Sequence, residues 1–500
     1  MRRRLGLLGL VALPRLLAFP FAENLHGDAI VRTRLAHAWL EHPHVIGGFD
    51  QGGLQFGPLH LYLLALAEAA WPSLLHAGRL VSLVAGVLTA LPLEALTRRL
   101  FGAPAATWAV VVFAFWGMHV QCSTTSASEA LGLLLVLAAV ERLSAWRGEG
   151  APPAAPDRAA LLLAALWLDL ACATRYDAWL LVPLATLVVL ERSRRVFTAA
   201  WFAAASSAFA AAWLWGNWVD RGDALFPFRY IDDFHRAWYR SEEAFWGRPW
   251  YQLLAAGFWP GAALVTLTPP AALAGFAGLW RAWRTRRARW LVLLVVGPAA
   301  AYTVRSVALA SFVPLARFTV KELALLLPFV WLGAAGLLEA RPRLRRGLVV
   351  ASAVGCAAWC LGLGVAAATS SGQVVDSLRP VAALSINDPA LKRVTSWLEA
   401  NRQPGTSLVI DQDPSGYDDL ACAYFSGFPY EAQVLRRSPQ YRRRLAAGPP
   451  GLVVRFEGGR LEREGELRLW PGGGSLEGLE LEEVALGHPR LHVYRRAGAR

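Results

Sequence analysis

The chain has 500 residues, of which 55% are hydrophobic and 22 are tryptophan, and its mean hydropathy is +0.36. That is too apolar for a soluble enzyme of this length and points to a multi-pass membrane protein. The formal charge of +13 raises nucleic acid as a partner, but the arginines fall in short clusters between apolar runs rather than along one stripe, so membrane lipids are the expected surroundings and nucleic acid is not.

Only Lys321 and Lys392 are lysines, which together with abundant Ala, Gly and Pro suggests a bacterial genome with GC-rich codons and hence a bacterial inner membrane. The cysteines Cys122, Cys172, Cys356, Cys360 and Cys422 lack metal or disulfide spacing and read as small apolar fillers.

A spanning helix needs about 20 mostly apolar residues, and flanking lysine or arginine marks its cytoplasmic end. The first run, LGLLGLVALPRLLAFPFA, follows Arg2, Arg3 and Arg4 and delivers Glu23 onward to the outside. Pro14 and Arg15 interrupt its core and favour an uncleaved helix over a signal peptide.

The next stretch, GDAIVRTRLAHAWLEH, has the form of an amphipathic helix carrying Asp28, Arg32 and Arg34. A glycine-rich bend, GGFDQGGLQFGP, lacks the lysine and strand context of a phosphate loop. It leads to GPLHLYLLALAEAAW, a second surface helix interrupted by His60 and Glu68.

The run SLLHAGRLVSLVAGVLTALPLEALTRRLFG ends inside at Arg98 and Arg99, Ala105 to His119 returns, and the chain from Ala127 goes back to Arg142 and Arg147. Two passes flank Arg175, Tyr176 and Asp177 and close at Arg192, Arg194 and Arg195. Val196 to Trp218 leads out, a polar outer loop with Asp220, Arg221, Asp223, Asp232 and Asp233 runs to about Tyr251, and the stretch to Trp280 returns to RAWRTRRAR. Trp290 to Val304, Thr319 to Leu338 and Gly347 to Thr369 complete about eleven passes.

The expected architecture is therefore mostly α: a polytopic helical membrane bundle over residues 1–369 and a small extracytoplasmic α/β domain over 370–500. In that tail DPALKRVTSWLEAN reads as a helix capped by Asp388, and TSLVID, GLVVRF and LHVYRR read as strands. The acidic DQDPSGYDD lacks calcium-loop spacing and reads as a solvated loop.

An acid just outside the first helix, the FGPLHLY stretch and then AGRLVSLVAGVLTALPLEALTRRLFG resemble the membrane glycosyltransferases of the C superfamily (GT-C). The nearest relatives in form are the protein O-mannosyltransferase and aminoarabinose-transferase branch, of glycosyltransferase family 39 type. STTSASEALGLLLVLAAVERL, ATRYDAWLLVP and ARFTVKELALLLPF resemble later pieces of the family, and the likeness covers about residues 1–340. The family acid is usually followed by a second acid or an aromatic, whereas Ala29 and Ile30 follow here.

The resemblance implies transfer of a sugar from a polyprenyl-phosphate carrier to an acceptor on the outer face, usually with inversion. Such chemistry needs a base for the acceptor hydroxyl and cations for the departing phosphate. Asp28 is the candidate base, with a helix N-cap as its structural alternative. Glu129 is suited to orienting the acceptor or the base, or to holding a divalent ion with Asp28; its alternative is a capping box with Ser126. His119 and Gln121 share that turn and have weaker claims.

Arg317 and Lys321, four apart, would share a helix face toward phosphate, or snorkel to lipid headgroups. Arg32 and Arg305 are further phosphate candidates, and Arg79 is a candidate to bridge Asp28 or the carrier. Asp169, within a pass, needs a partner such as Arg175, and Arg175 and Asp177 are expected to pair. Two other functions fit many passes: a transporter or lipid flippase, and a noncatalytic assembly protein. Convergence of Asp28, Glu129 and Lys321 on one outward cavity would favour the transferase.

Overall fold

The structure, a computed structural model, describes residues 2–20, 27–41, 43, 56–71, 76–146, 158–241, 249–286, 288–309, 311–312, 315–339, 341–369, 389–402, 405–414, 418–436, 438, 441–448 and 450–498. The first element, α1 (Arg2–Ala18), packs on α6 (Ala103–Ala114). Between them come α2 (Gly27–Glu41) and α3 (Pro58–Ala70), which pack on each other, and α4 (Ala77–Leu88) and α5 (Ala90–Phe101), which run on as one 25-residue apolar helix.

Arg15, which breaks the apolar pattern of α1, is fully buried and explains how the helix is fastened. Its guanidinium donates to Val11 O at 2.7 Å and Ala114 O at 3.2 Å, and lies 2.8 Å from His119 Nδ1. His119 is thereby tied to α1.

The bundle continues through α7 (Gly117–Thr124), α8 (Ser128–Ala145), α9 (Arg158–Thr174), a 3-10 turn (Tyr176–Leu180) and α10 (Leu181–Ser193). Next are α11 (Val196–Ser206), α12 (Ala208–Arg221), α13 (Phe226–Ser241), α14 (Pro249–Ala256), α15 (Phe258–Thr266) and α16 (Pro269–Arg284). Then follow α17 (Arg289–Val307), a second 3-10 turn (Ala316–Thr319), α18 (Val320–Leu337) and α19 (Pro342–Thr369). Helix α8 is buried almost all round, with Ala130, Leu133, Val136 and Leu137 in the common core, as a central bundle helix must be.

Among the described residues, three stretches are long and apolar enough to cross a membrane: Ala77–Phe101, Arg289–Val307 and Ala316–Gly336. The number is five if the bent pairs α6–α7 (63°) and α11–α12 (55°) each count as one span. The expected single pass from Val196 to Trp218 is thus broken at Ser207. Asp169 explains the second start: its Oδ1 accepts from the amide of Phe209 at 2.8 Å, in the first turn of α12, so the partner it needs is a neighbouring helix and not Arg175. The expected polar outer loop contains α13, whose Arg229, Asp232, Asp233 and Arg236 recur at helical spacing.

The C-terminal sheet domain has α20 (Pro389–Ala400), β1 (Ser407–Ile410), α21 (Asp418–Phe425), β2 (Gln433–Leu435), α22 (Tyr441–Leu445), β3 (Pro450–Phe456) and α23 (Arg460–Arg463). It closes with β4 (Leu467–Trp470), β5 (Gly473–Leu476), β6 (Leu479–Val484) and β7 (Leu491–Arg496). The order is β2-β1-β3-β7-β6-β5-β4, with β1 parallel to β2 and β3 and the later pairs antiparallel. The period-two rule sorts the cores: Leu408 and Ile410 face α20 and α21, while Val409 faces Tyr441, Leu445 and Tyr494. Asp388 lies outside the described residues. In the acidic stretch after β1, Asp411 is buried and accepts from the amide of Leu461 at 2.9 Å, a structural role.

Candidate functional site

Glu129 is the second residue of α8, whose N-cap position is held by the extended Ala127, so Ser126 and Glu129 do not occupy the cap and third helical positions of the capping-box alternative. Its carboxylate instead meets Arg175 Nη1 at 2.8 Å. Arg175 sits in extended backbone at the break after α9, which turns its side chain onto α8. There it also donates to Ser128 Oγ at 2.8 Å and, through Nε, to the Asp177 carboxylate at 3.2 Å. Gly132, one turn along α8, makes room: a Cβ there would lie 2.9 Å from Arg175 Cδ.

The Asp177 carboxylate also holds Lys321 of α18 in an ion pair. Asp28 lies within the first turn of α2 rather than at its cap, and its Oδ2 accepts from Arg317 Nη2 at 2.6 Å. Arg317 belongs to the 3-10 turn before α18, so it and Lys321 do not share one helix face as expected; they diverge to Asp28 and Asp177. The two sets of pairs meet around Phe318, whose ring centre is 5.2 Å from the Arg317 guanidinium and 5.8 Å from that of Arg175. Asp28, Glu129 and Lys321 therefore belong to one charged cluster drawn from α2, α8, the Arg175 turn and α18.

Arg32 of α2 is buried with its guanidinium 3.9 Å from the centre of the Phe56 ring. Burial lowers its pKa to about 10; Arg175 and Arg317 also lower it, and Asp28 and Glu129 raise it, which places it inside the same field. The Gly57 next to Phe56 explains part of the FGPLHLY stretch: a Cβ there would lie 2.5 Å from the Thr174 carbonyl carbon, so only glycine lets this segment rest on the end of α9.

Sequence reasoning passed over Glu322. It is buried beside Lys321, and neither carboxylate oxygen has a hydrogen-bond partner among the described residues. The signal was present, since an acid within a spanning stretch demands an explanation.

Arg305 borders the cluster rather than entering it. It pairs with Asp232 of α13 and donates to Ser311 O at 3.0 Å. His235, also on α13, lies in the fields of both Arg305 and Asp28; burial chiefly, then Arg305, lowers its pKa to about 4 while Asp28 raises it. Arg79 donates to Thr124 O at 2.7 Å and to Phe19 O, clamping α4 to α7 and to the end of α1. Gln121 is buried in α7.

Among the described residues no three His, Cys, Asp or Glu side chains gather as a metal site. Asp28 and Glu129 each face a guanidinium, a donor set that suits anions better than a resident divalent ion.

No family model matches the chain, and no curated protein matches it by sequence. Among solved structures it is similar to ArnT from Cupriavidus metallidurans bound to undecaprenyl phosphate, with a TM-score of 0.63 and 12% identity over 99% of this chain and 98% of that one. Apo ArnT from the same organism gives 0.60 and 14% over 97% and 96%. The Archaeoglobus fulgidus oligosaccharyltransferase in complex with Zn and sulfate gives 0.53 and 14% over 90% and 68%. The chain shares the fold of these structures, a helical bundle followed by a C-terminal sheet domain.

Proposed function

We propose that the chain is a glycosyltransferase that moves a sugar from a polyprenyl-phosphate-linked donor to an acceptor on the outer face of a bacterial inner membrane. The observation carrying this reading is the joining of two carboxylates, Asp28 and Glu129, with Arg32, Arg175, Arg317 and Lys321 in one cluster of a GT-C fold. That the ArnT of the likeness is bound to undecaprenyl phosphate supports the carrier class. The about eleven passes, the inward N-terminus and the outward domain at 370–500 belong to the same proposal.

In this reading Asp28 takes the proton of the acceptor hydroxyl as its oxygen bonds to the anomeric carbon. The bond from that carbon to the carrier phosphate breaks, and the phosphate leaves with the electron pair. Arg317 is Asp28's resting partner, and an arriving phosphate competes for it. Transfer of Arg317 from carboxylate to phosphate breaks that pair as donor binds, which couples donor binding to the basicity of Asp28.

Lys321 supplies a second, compact charge once its ammonium is shared between Asp177 and the phosphate. Glu129 holds Arg175, and through it the Asp177 end of the cluster. Arg305 reaches phosphate only by leaving Asp232, and Arg79 acts on the framework. No step is written through a metal.

The test uses the full chain in nanodiscs with a panel of undecaprenyl-phosphate hexoses, pentoses and aminopentoses, and bare undecaprenyl phosphate as a binding probe. Asp28→Asn is expected to lower kcat by about 100-fold or more, the range of general-base catalysis, with carrier binding retained. Unchanged turnover would remove Asp28 as the base.

A further inference from the structure

His60, on α3, is the most enclosed polar group beside the cluster. It is 0% exposed, and neither ring nitrogen has a hydrogen-bond partner among the described residues. Arg32, on the neighbouring α2, is 6% exposed, and its Nη1 likewise has no partner among the described residues. The start of α3 lies against the cluster, with Phe56 under the Arg32 guanidinium at 3.9 Å and Gly57 against Thr174, the residue before Arg175, and Arg32, Glu129 and Arg175 all act electrostatically on His60.

An unsatisfied buried donor or acceptor costs roughly 1–3 kcal/mol. Two such groups from different helices beside one cluster describe a site short of its ligand. Burial holds the imidazole well below its usual pKa and hence neutral, with the adjacent Arg32 pushing the same way. A neutral imidazole offers one donor and one acceptor, whereas a guanidinium only donates.

Phosphate oxygens only accept and have Arg317 and Lys321 to meet them. A hydroxyl both accepts and donates, which matches Arg32 and His60 together. Depth agrees with this division, because the Asp28 side chain is 42% exposed while His60 is enclosed.

We propose that His60 and Nη1 of Arg32 form the inner wall of the sugar subsite and bind a hydroxyl of the transferred sugar remote from its anomeric carbon. This rests on the glycosyltransferase reading. His60 is here a specificity-determining residue, distinct from the base and from the phosphate cations.

The test measures binding of the same undecaprenyl-phosphate sugars and of bare undecaprenyl phosphate to wild type, His60→Phe, His60→Gln and Arg32→Lys in nanodiscs. His60→Phe is expected to weaken the preferred sugar-bearing carrier tenfold or more while leaving bare carrier unchanged. His60→Gln, which keeps a donor and an acceptor, is expected to restore most of the loss. Arg32→Lys, which loses the fork, is expected to repeat the selective weakening even if His60→Phe does not fold.

Equal binding of sugar-bearing carrier by wild type and His60→Phe overturns the subsite, as does an equal loss of both probes. Failure of the wild type to bind any carrier overturns the glycosyltransferase reading and the subsite with it. The two failures are therefore distinguishable.

Discussion

At the residue scale, Lys321 and Asp177 are bound to each other's fate. Removing one partner of a buried pair leaves an uncompensated charge, a cost of about 3–5 kcal/mol, whereas replacing both with uncharged groups avoids it. Asp177→Asn is therefore expected to lower the melting temperature in detergent, and Asp177→Asn with Lys321→Met to recover much of it. If Lys321 serves the donor phosphate, the double variant folds and does not turn over; a stable, fully active double variant would make Lys321 structural.

His235 gives a pH dependence at the same scale. Its folded pKa of about 4 lies below the usual 6.5, so the unfolded chain binds more protons as pH falls. Its contribution is undiminished above pH 6.5 and declines from there toward pH 4, by at most about 1.4 kcal/mol per pH unit. Melting temperatures measured between pH 7.5 and 4.5 are expected to fall less steeply for His235→Gln than for wild type. Equal slopes would place the acid sensitivity elsewhere.

The residue types of the cluster were legible in sequence, because charges at the ends of apolar runs stand out. Their partners were not. Asp28 as a cap, Glu129 in a capping box and Arg317 aligned with Lys321 all follow from local spacing, and each gave way to a long-range charge pair or a turn that spacing does not encode.

At the element scale, α2 meets two different neighbours on its two faces. Asp28 and Arg32 look into the cluster, while Val31 and Arg34 meet the C-terminal domain. Arg34 donates to Gln433 Oε1 and lies 4.8 Å from the ring centre of Tyr430, which Arg444 also approaches at 4.5 Å. The domain thus grips the helix that bears the candidate base.

Arg34→Ala is expected to lower turnover several-fold with bare-carrier binding unchanged, and Arg34→Lys to rescue it poorly because an ammonium lacks the stacking plane. Full activity of both Arg34→Ala and Tyr430→Ala would remove the grip from catalysis. Helix α2, helix α3 and three of the strands could be read from sequence by period and composition, while the 1–340 likeness rested on the order of its motifs. The bends after α6 and α11 could not, since hydropathy windows run over Phe115 and Ser207 without registering a change of direction.

At the scale of the whole molecule the charges separate along the bundle. Helix α8 has Glu129 in its first turn, within the acid–base cluster, and Glu141 and Arg142 in its last, within a basic one. There Arg99 meets Glu141 at 2.9 Å, Arg192 donates to Leu143 O at 2.9 Å, and Arg3 donates to Ala103 O at 3.1 Å. A pocket of about 440 Å³ lined by Arg3, Arg4, Leu5 and Arg98 opens at the same end. Under the proposed function this arginine-rich end is the cytoplasmic boundary and the mixed cluster at the other end faces outward. Alkaline phosphatase joined after Arg500 is accordingly expected to be active in intact cells, and a fluorescent protein at the same place dark. The same reporters joined after Arg195 should give the reverse. A bright fluorescent protein after Arg500 would put the C-terminal domain in the cytoplasm and turn the proposed site away from the outer face.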